Sequence, residues 1–402
     1  MKQIIVLGGG FAGTAAVLRL KKIFKNKEIS ITLIDRNSYH LFTPSLYEVA
    51  TSEEPKKNIA IPLHEIFPDR ISIVKSNIKN IDTKSRYVTV SDDIKYNYDQ
   101  LIIALGSEPA YYDIEGLRQY GVALKTLESS VKIREKIKEI YHEKVQDGKV
   151  MKIIIGGGGF TGTELAAELT EYRKKLSAHH KKPAENLKIT VIQGPESLLK
   201  ELDVKVSKIA KERLERENIE LCFGFHIKKV EKNILETDNG RKHDFDILIW
   251  TGGVRASSVI LESGFKVNGK GQVSIDDKML IFGFKNVFAV GDIAEFADPY
   301  TNKPTPGVAR IAIEEGKIAG ENAARSVLGK ELISYKYRHW GYIIPIKGKF
   351  AVCELIWFRI VGFWGWVLQQ LVFLHYLLEI LSVSKALRRW NKFEMYLMNH
   401  SN

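Results

Sequence analysis

One arrangement of residues occurs twice in this 402-residue chain, and nothing else in the sequence constrains the fold as strongly. Ile4-Ile5-Val6-Leu7 is an unbroken apolar run, the pattern of a parallel strand buried on both faces. It leads directly into Gly8, Gly10 and Gly13 in GxGxxG spacing, after which Thr14 to Ile23 has the periodicity of an amphipathic helix. A second strand, Ile29 to Ile34, ends at Asp35, 22 residues beyond the last glycine. In such a unit the first glycine makes a tight turn, the second lets the backbone approach a pyrophosphate, and the third allows the helix to pack closely on the strand. The helix N-terminus offers free N–H groups to phosphate, and the acid at the next strand end reaches a ribose hydroxyl. Glycines alone are weak evidence; the ordered set predicts an adenine-dinucleotide site.

The second copy begins about 150 residues later. Val150 to Ile155 is the strand, Gly157, Gly159 and Gly162 are the turn, Thr163 to Leu176 the helix and Ile189 to Ile192 the next strand. This copy ends at Gln193, where an acid would normally hold the ribose. An amide still hydrogen-bonds there and does not repel a 2′-phosphate, so NADH is the expected ligand and NADPH stays open. Two more stretches join the first copy. Tyr98 to Ile103 reads as a buried strand leaving through Ala104 and Gly106, and Asn286 to Val290 as another that ends at Gly291 and Asp292. Asp292 is placed to meet ribitol hydroxyls. Pro304, Pro306 and Gly307 then open a helix from about Val308 to Leu328, whose positive end suits negative charge on a reduced flavin.

Composition narrows the class. Apolar residues make up 45% and charged residues 27%, which fits neither a disordered chain nor a polytopic membrane protein. The two cysteines, Cys222 and Cys353, are too far apart for a CxxC redox pair or a thiolate metal cluster, and a reducing compartment is expected. Met1 to Leu7 has too short an apolar core for an export signal. The net charge of +12 is unevenly placed: residues 330 to 402 hold ten basic side chains against four acidic ones, with five of the six tryptophans, Trp340, Trp357, Trp364, Trp366 and Trp390. Interleaved Trp and Lys/Arg suits an anionic bilayer surface. Leu355 to Leu381 is long enough to cross a bilayer, yet Arg359, Gln369, Gln370, His375 and Glu379 interrupt it, so it is read as lying in the interface. A core or dimer helix and a true span are the alternatives.

With these residues in hand, the chain resembles the two-dinucleotide-binding-domain flavoproteins, and within them the type II NADH dehydrogenases, single-subunit NADH:quinone oxidoreductases of respiratory membranes. The resemblance rests on Ile34 to Ala50 (IDRNSYHLFTPSLYEVA), Gly157 to Leu169 (GGGFTGTELAAEL), Trp250 to Arg255 (WTGGVR) and the aromatic, basic C-terminus. It implies an α/β fold with two Rossmann-type domains: an FAD domain of residues 1–112 and 264–330, an NADH domain of 113–263 inserted in it, and a membrane-anchoring segment of 331–402. It also implies hydride transfer from NADH to FAD and two electrons onward to a membrane quinone, without proton pumping. A homodimer, peripheral on the cytoplasmic face of the cell membrane, is expected by the same likeness.

Carried over by position, Gly8, Gly10, Gly13, Asp35, Thr43, Pro44, Ala104, Gly106, Gly291, Asp292 and Ala309 fall on FAD positions. Gly157, Gly159, Gly162, Glu164, Gln193, Gly252 and Gly253 fall on NADH positions. Glu168, four residues after Glu164, lies on the same helix face and is placed near the flavin; a solvated helix face is the alternative for the two glutamates. The family's AQxAxQ pattern aligns with Ala309-Arg310-Ile311-Ala312-Ile313-Glu314, so both glutamines are replaced by charges. Arg310 and Glu314 are i, i+4 neighbours able to pair, and the pair either keeps a polar quinone pocket or marks a different acceptor. Gln369 or Gln370, with His375, is placed at the same entrance; a packing role is the alternative for His375.

Two rivals stay open. A sulfide:quinone oxidoreductase has the same architecture but works through a cysteine pair beside the flavin, for which only Cys222 and Cys353 are available. An apoptosis-inducing-factor-like sensor would bind NADH and turn over slowly. A disulfide reductase lacks its cysteine pair, and a nucleic-acid role rests on the charge alone, with no binding module to support it. The chemistry expected requires no metal.

Overall fold

The computed structural model describes residues 1–25, 29–51, 58–298 and 303–400, with side chains through 392. Along the chain, the elements that position the sites are β1 (Lys2–Leu7), α1 (Phe11–Ile23), β2 (Ile29–Asp35), β3 (Ser72–Lys75), β4 (Gln100–Ile103), β5 (Gly121–Ala123), α2 (Leu127–Gln146), β6 (Met151–Gly156), α3 (Phe160–His180), β7 (Leu187–Gln193), β8 (Ile219–Phe223), β9 (Ile247–Trp250), β10 (Val287–Ala289) and α4 (Ala309–Val327). After them come β11 (Tyr342–Pro345), β12 (Ala351–Glu354), β13 (Arg359–Gly362), α5 (Phe363–Ile380) and α6 (Val383–His400).

Two five-stranded parallel sheets organise the molecule, in the orders β10-β4-β1-β2-β3 and β5-β9-β6-β7-β8. The layouts correspond. In each, the strand entering a glycine turn is central, with the strand ending in Asp35 or Gln193 on one side and the strand ending before Ala104 or Thr251 on the other. Registers match as well: Leu7 pairs with Ile34 and Ile103, and Gly156 with Ile192 and Trp250. Helices cover these strands, so Ile4 to Leu7, Leu101 to Ile103, Ile153 to Ile155 and Ile247 to Ile249 are almost wholly buried, as the apolar runs require.

Helix α4 closes the first sheet by lying against α1 through small residues. A Cβ at Gly316 would stand 2.1 Å from the Ala12 carbonyl oxygen, and one at Gly320 2.6 Å from that of Ala16, so only glycine permits this approach. The Arg19–Glu321 ion pair, 2.7 Å, and the i, i+4 pair Arg325–Glu321, 2.7 Å, edge the contact.

The C-terminal segment departs from the sequence-based expectation of one long apolar stretch. Residues 342 to 362 form an antiparallel sheet, β11-β12-β13, and only Phe363–Ile380 is the apolar helix. Gly362, at φ +91°, makes the corner between them. Among the described residues no helix is long and apolar enough to cross a membrane. Lys347 bonds Glu217 and, at 3.1 Å, Glu171, while the Arg213 guanidinium lies 3.8 Å from the Phe350 ring centre; together these hold the sheet to the second unit. Arg389 reaches Glu65 at 2.9 Å on the first.

Candidate dinucleotide and electron-transfer sites

The two glycine turns superpose in chemistry. A Cβ at Gly13 would lie 1.8 Å from the Gly8 carbonyl oxygen, and one at Gly162 1.9 Å from that of Gly157; both are closed by their own turn. Gly10 and Gly159 are the opposite case, because a Cβ there would meet nothing among the described residues within 4 Å. Their backbones coincide at φ/ψ −73°/−164° and −74°/−163°. Each begins a helix with no side-chain cap and no acid in the first turn, so among the described residues no side chain caps the positive end. A cradle that a methyl group would fill, facing unclaimed N–H groups, fits a dinucleotide pyrophosphate twice over.

The strand-end residues brace these turns. Asp35 accepts the Gly9 N–H at 2.6 Å and the Asn37 N–H at 2.6 Å. Burial raises its pKa, and the two backbone bonds pull against that rise. Gln193 repeats the first contact, its Oε1 accepting the Gly158 N–H at 2.7 Å, while its Nε2 donates to the Ser197 carbonyl at 3.4 Å. Both ends of the amide are therefore engaged with backbone. Gly252 and Gly253 follow β9 beside Trp250 and Tyr112, and Gly157 packs on Gly252.

At the far end of the first sheet, Gly291 and Asp292 follow β10. Asp292 accepts from the Ser107 hydroxyl, and Lys125 lies 3.8 Å from the carboxylate and donates to Ser107 at 2.7 Å. Burial lowers the Lys125 pKa. Glu315, from α4, accepts the Gly291 N–H at 2.7 Å, and burial lifts its pKa to about 8. Ser107, Lys125 and Glu315 were not singled out from sequence. Ser107 and Lys125 act through Asp292, far along the chain, and Glu315 through Gly291 in another element, so no local motif marks them. Gly106, at φ +67°, turns the chain out of the first sheet; Thr43 and Pro44 are exposed in a short 3-10 turn, and Ala309 starts α4.

Glu164 and Glu168 do share a face of α3, and with Tyr47, Glu48, Gln369, Gln370, Lys347 and Trp366 they line a cavity of about 40 Å³, room for a few water molecules. Burial raises the pKa of both glutamates and so favours their protonated forms. Arg310 and Glu314 pair as expected, at 3.0 Å, but elsewhere. Glu314 also accepts from Trp340 Nε1 at 3.1 Å and from the Tyr335 hydroxyl at 3.4 Å, and the Arg310 guanidinium lies 5.2 Å from the Trp340 ring. Neither lines the Glu168 cavity. Nor does His375, which faces solvent 3.6 Å from Glu379. Of the residues expected at one entrance, Gln369 and Gln370 line the Glu168 cavity, while Arg310 and Glu314 stand at the start of α4. Both cysteines are free: Cys222 sits on β8 and Cys353 is buried on β12, its thiol pushed up to about 11 by burial.

Two parallel sheets, each with an open glycine cradle, one nested in the sequence between strands of the other, define a double dinucleotide-binding oxidoreductase scaffold. The family model described as pyridine nucleotide-disulphide oxidoreductase matches residues 2–316, and the chain belongs to that family. It is 27% identical over 353 residues to the type II NADH:quinone oxidoreductase of Staphylococcus aureus, covering 86% of this chain and 87% of that one. Its fold is that of NDH2 from Plasmodium falciparum, solved in complex with NADH: TM-score 0.84 and 18% identity, with 98% of each chain covered. The sulfide:quinone oxidoreductase of Aquifex aeolicus shares it at TM-score 0.76 and 19% identity, over 100% of this chain and 92% of the other.

Proposed function

We propose that this chain is an FAD-dependent NADH:quinone oxidoreductase of the type II kind. The observation that carries the reading is the pair of matched open cradles, Gly10 and Gly159, on one polypeptide with no cysteine at either turn. Residues 1–112 and 264–330 would hold FAD and residues 113–263 NADH. FAD, when bound, supplies the two-electron chemistry. The chain supplies the rest. The Gly8–Gly10–Gly13 turn and the N-terminus of α1 hold one pyrophosphate, Asp35 the adenosine ribose, and Ser107, Lys125 and Asp292 the polar groups beyond it; Thr43, Pro44, Ala104, Gly106, Gly291 and Ala309 complete that wall. The Gly157–Gly159–Gly162 turn, Gln193, Glu164, Gly252 and Gly253 serve NADH. Gln193 brings no carboxylate charge, so NADPH remains an admissible donor, tested by comparing kcat/KM for the two.

Converting NADH and a quinone to NAD and quinol takes up one proton. Glu168 and Glu164, held toward the protonated form by burial, are suited to deliver it, with Gln370 beside them. Arg310 and Glu314 form a self-neutralised polar patch at the start of α4 that suits an uncharged quinone head. The acceptor is taken from a bilayer surface. Trp357 (89% exposed) stands out with Ile356 and Phe358 in the turn between β12 and β13, and Trp364 (70%) with Phe363 at the start of α5, in the fifth of the chain that carries half of its net charge. A sulfide-oxidising reading would need a reactive cysteine pair, whereas burial raises both thiols away from the thiolate.

Anaerobic mixing tests the reading. NADH should bleach the flavin absorbance and a subsequent quinone should restore it; a colourless protein that takes up no FAD, or bleaching that no quinone reverses, refutes it.

A further inference from the structure

The two glycine turns differ at one atom. In the second turn the Gly158 carbonyl is satisfied within its own unit, by the Leu199 N–H at 2.9 Å and the Thr163 hydroxyl at 3.3 Å. In the first, Thr14 supplies the equivalent hydroxyl at 3.1 Å, but the second donor is a side chain, His40 Nδ1, 2.9 Å from the Gly9 oxygen. A carbonyl only accepts, so Nδ1 carries the proton and Nε2 of the neutral ring is bare. That nitrogen meets the Tyr376 hydroxyl at 2.7 Å, a contact spanning 336 residues, so the tyrosine donates. His40 is fully buried, and burial lowers its pKa to about 4, which keeps the ring neutral. Rings fix the geometry: Phe11, the residue after Gly10, lies edge-on to His40 at 5.1 Å, and Phe42 lies 4.5 Å from Phe373 and 5.6 Å from Tyr376.

We propose that Tyr376 and His40 are positioning residues that lock α5 onto the first glycine turn, so that retention of FAD, but not binding of NADH, depends on the seating of the C-terminal helix. This rests on the flavoprotein reading above. Gly9, the middle residue of the turn, is clamped at its N–H by Asp35 and at its carbonyl by His40, so both peptides flanking its Cα are held, and the second clamp is completed only when α5 is in place. The same helix presents Leu371, Val372 and Leu378 to solvent, so whatever fixes that outer face also steadies the turn.

The test uses the holoenzyme. FAD release is followed by the rise in flavin fluorescence after dilution, and NADH affinity by titration, for wild type, Tyr376→Phe, His40→Gln and Leu378→Ser, the last on the outer face of α5. Losing the hydroxyl leaves His40 Nε2 buried without a partner, so Tyr376→Phe should release FAD roughly tenfold faster with NADH affinity unchanged. His40→Gln should do the same, and Leu378→Ser should match wild type. If Tyr376→Phe and His40→Gln both fold and hold FAD as wild type does, the proposal is overturned while the flavoprotein reading stands. If FAD and NADH binding weaken together, the pair is merely structural and the proposal fails. A wild-type protein that binds no FAD overturns both readings.

Discussion

Replacing Gly10 by alanine separates folding from cofactor binding, because the structure gives the new methyl group free space in the protein and none beside a dinucleotide. The backbone at φ −73°, ψ −164° is extended, a conformation alanine accepts, and a Cβ there meets nothing within 4 Å. Alanine restricts the unfolded chain, which stabilises by about 0.4–1 kcal/mol, while its poorer fit to a helix N-cap costs about 0.5 kcal/mol. Folded stability should therefore stay within about 1 kcal/mol of wild type. On the proposed assignment, the methyl group stands where the pyrophosphate would approach the N-terminus of α1. Losing two charge-assisted N–H bonds at about 1.5–3 kcal/mol each weakens FAD by about 3–6 kcal/mol, a hundred- to ten-thousand-fold in Kd. Gly13→Ala makes the contrast: its Cβ would stand 1.8 Å from the Gly8 oxygen, so α1 must leave the turn, costing about 1–3 kcal/mol or more of stability. Gly159→Ala, the mirror case, should keep FAD and lose NADH. Flavin absorbance of the purified variants, titration of each ligand and thermal unfolding of the ligand-free proteins provide the readouts. A Gly10→Ala protein that binds FAD with wild-type affinity refutes the assignment of this cradle.

Other expectations are more local. Glu315 is raised from 4.5 to about 8, so the folded state holds its proton more tightly than the unfolded state; that stability is fully present below pH 4.5 and is lost as the pH rises through about 8, at no more than about 1.4 kcal/mol per pH unit. Unfolding of dinucleotide-free protein across this window should show the decline, and Glu315→Gln should flatten it. Arg310 and Glu314 are a partly exposed i, i+4 pair worth about 0.3–0.5 kcal/mol, so changing both to glutamine should shift the melting temperature little while altering KM for quinone and not for NADH. Cys222→Ser and Cys353→Ser should leave NADH-dependent quinone reduction unchanged in a steady-state assay; a large loss would revive the sulfide-oxidising alternative. Trp357→Ala with Trp364→Ala should abolish flotation with anionic vesicles without changing reduction of a water-soluble quinone.

The chain's sequence alone determined the two nucleotide units, because everything that specifies them is local. Buried parallel strands need continuous apolar runs, the turns need glycine where a Cβ would strike backbone, and each helix must begin at once; Lys2–Leu7 to Asp35 and Met151–Gly156 to Gln193 therefore fall where spacing places them. The partnership of Arg310 and Glu314 was legible for the same reason, being one helical turn apart. Tertiary structure decided what those units touch. The β11-β12-β13 sheet replaced part of the apolar stretch because cross-strand pairing and the Gly362 corner outweighed a helix-compatible composition. Ser107 and Lys125 meet Asp292 across separations of 185 and 167 residues, and Tyr376 reaches His40 across 336. Contacts of that range follow from how helices seat on sheets, and a side chain's partner at such distance leaves no periodicity to read.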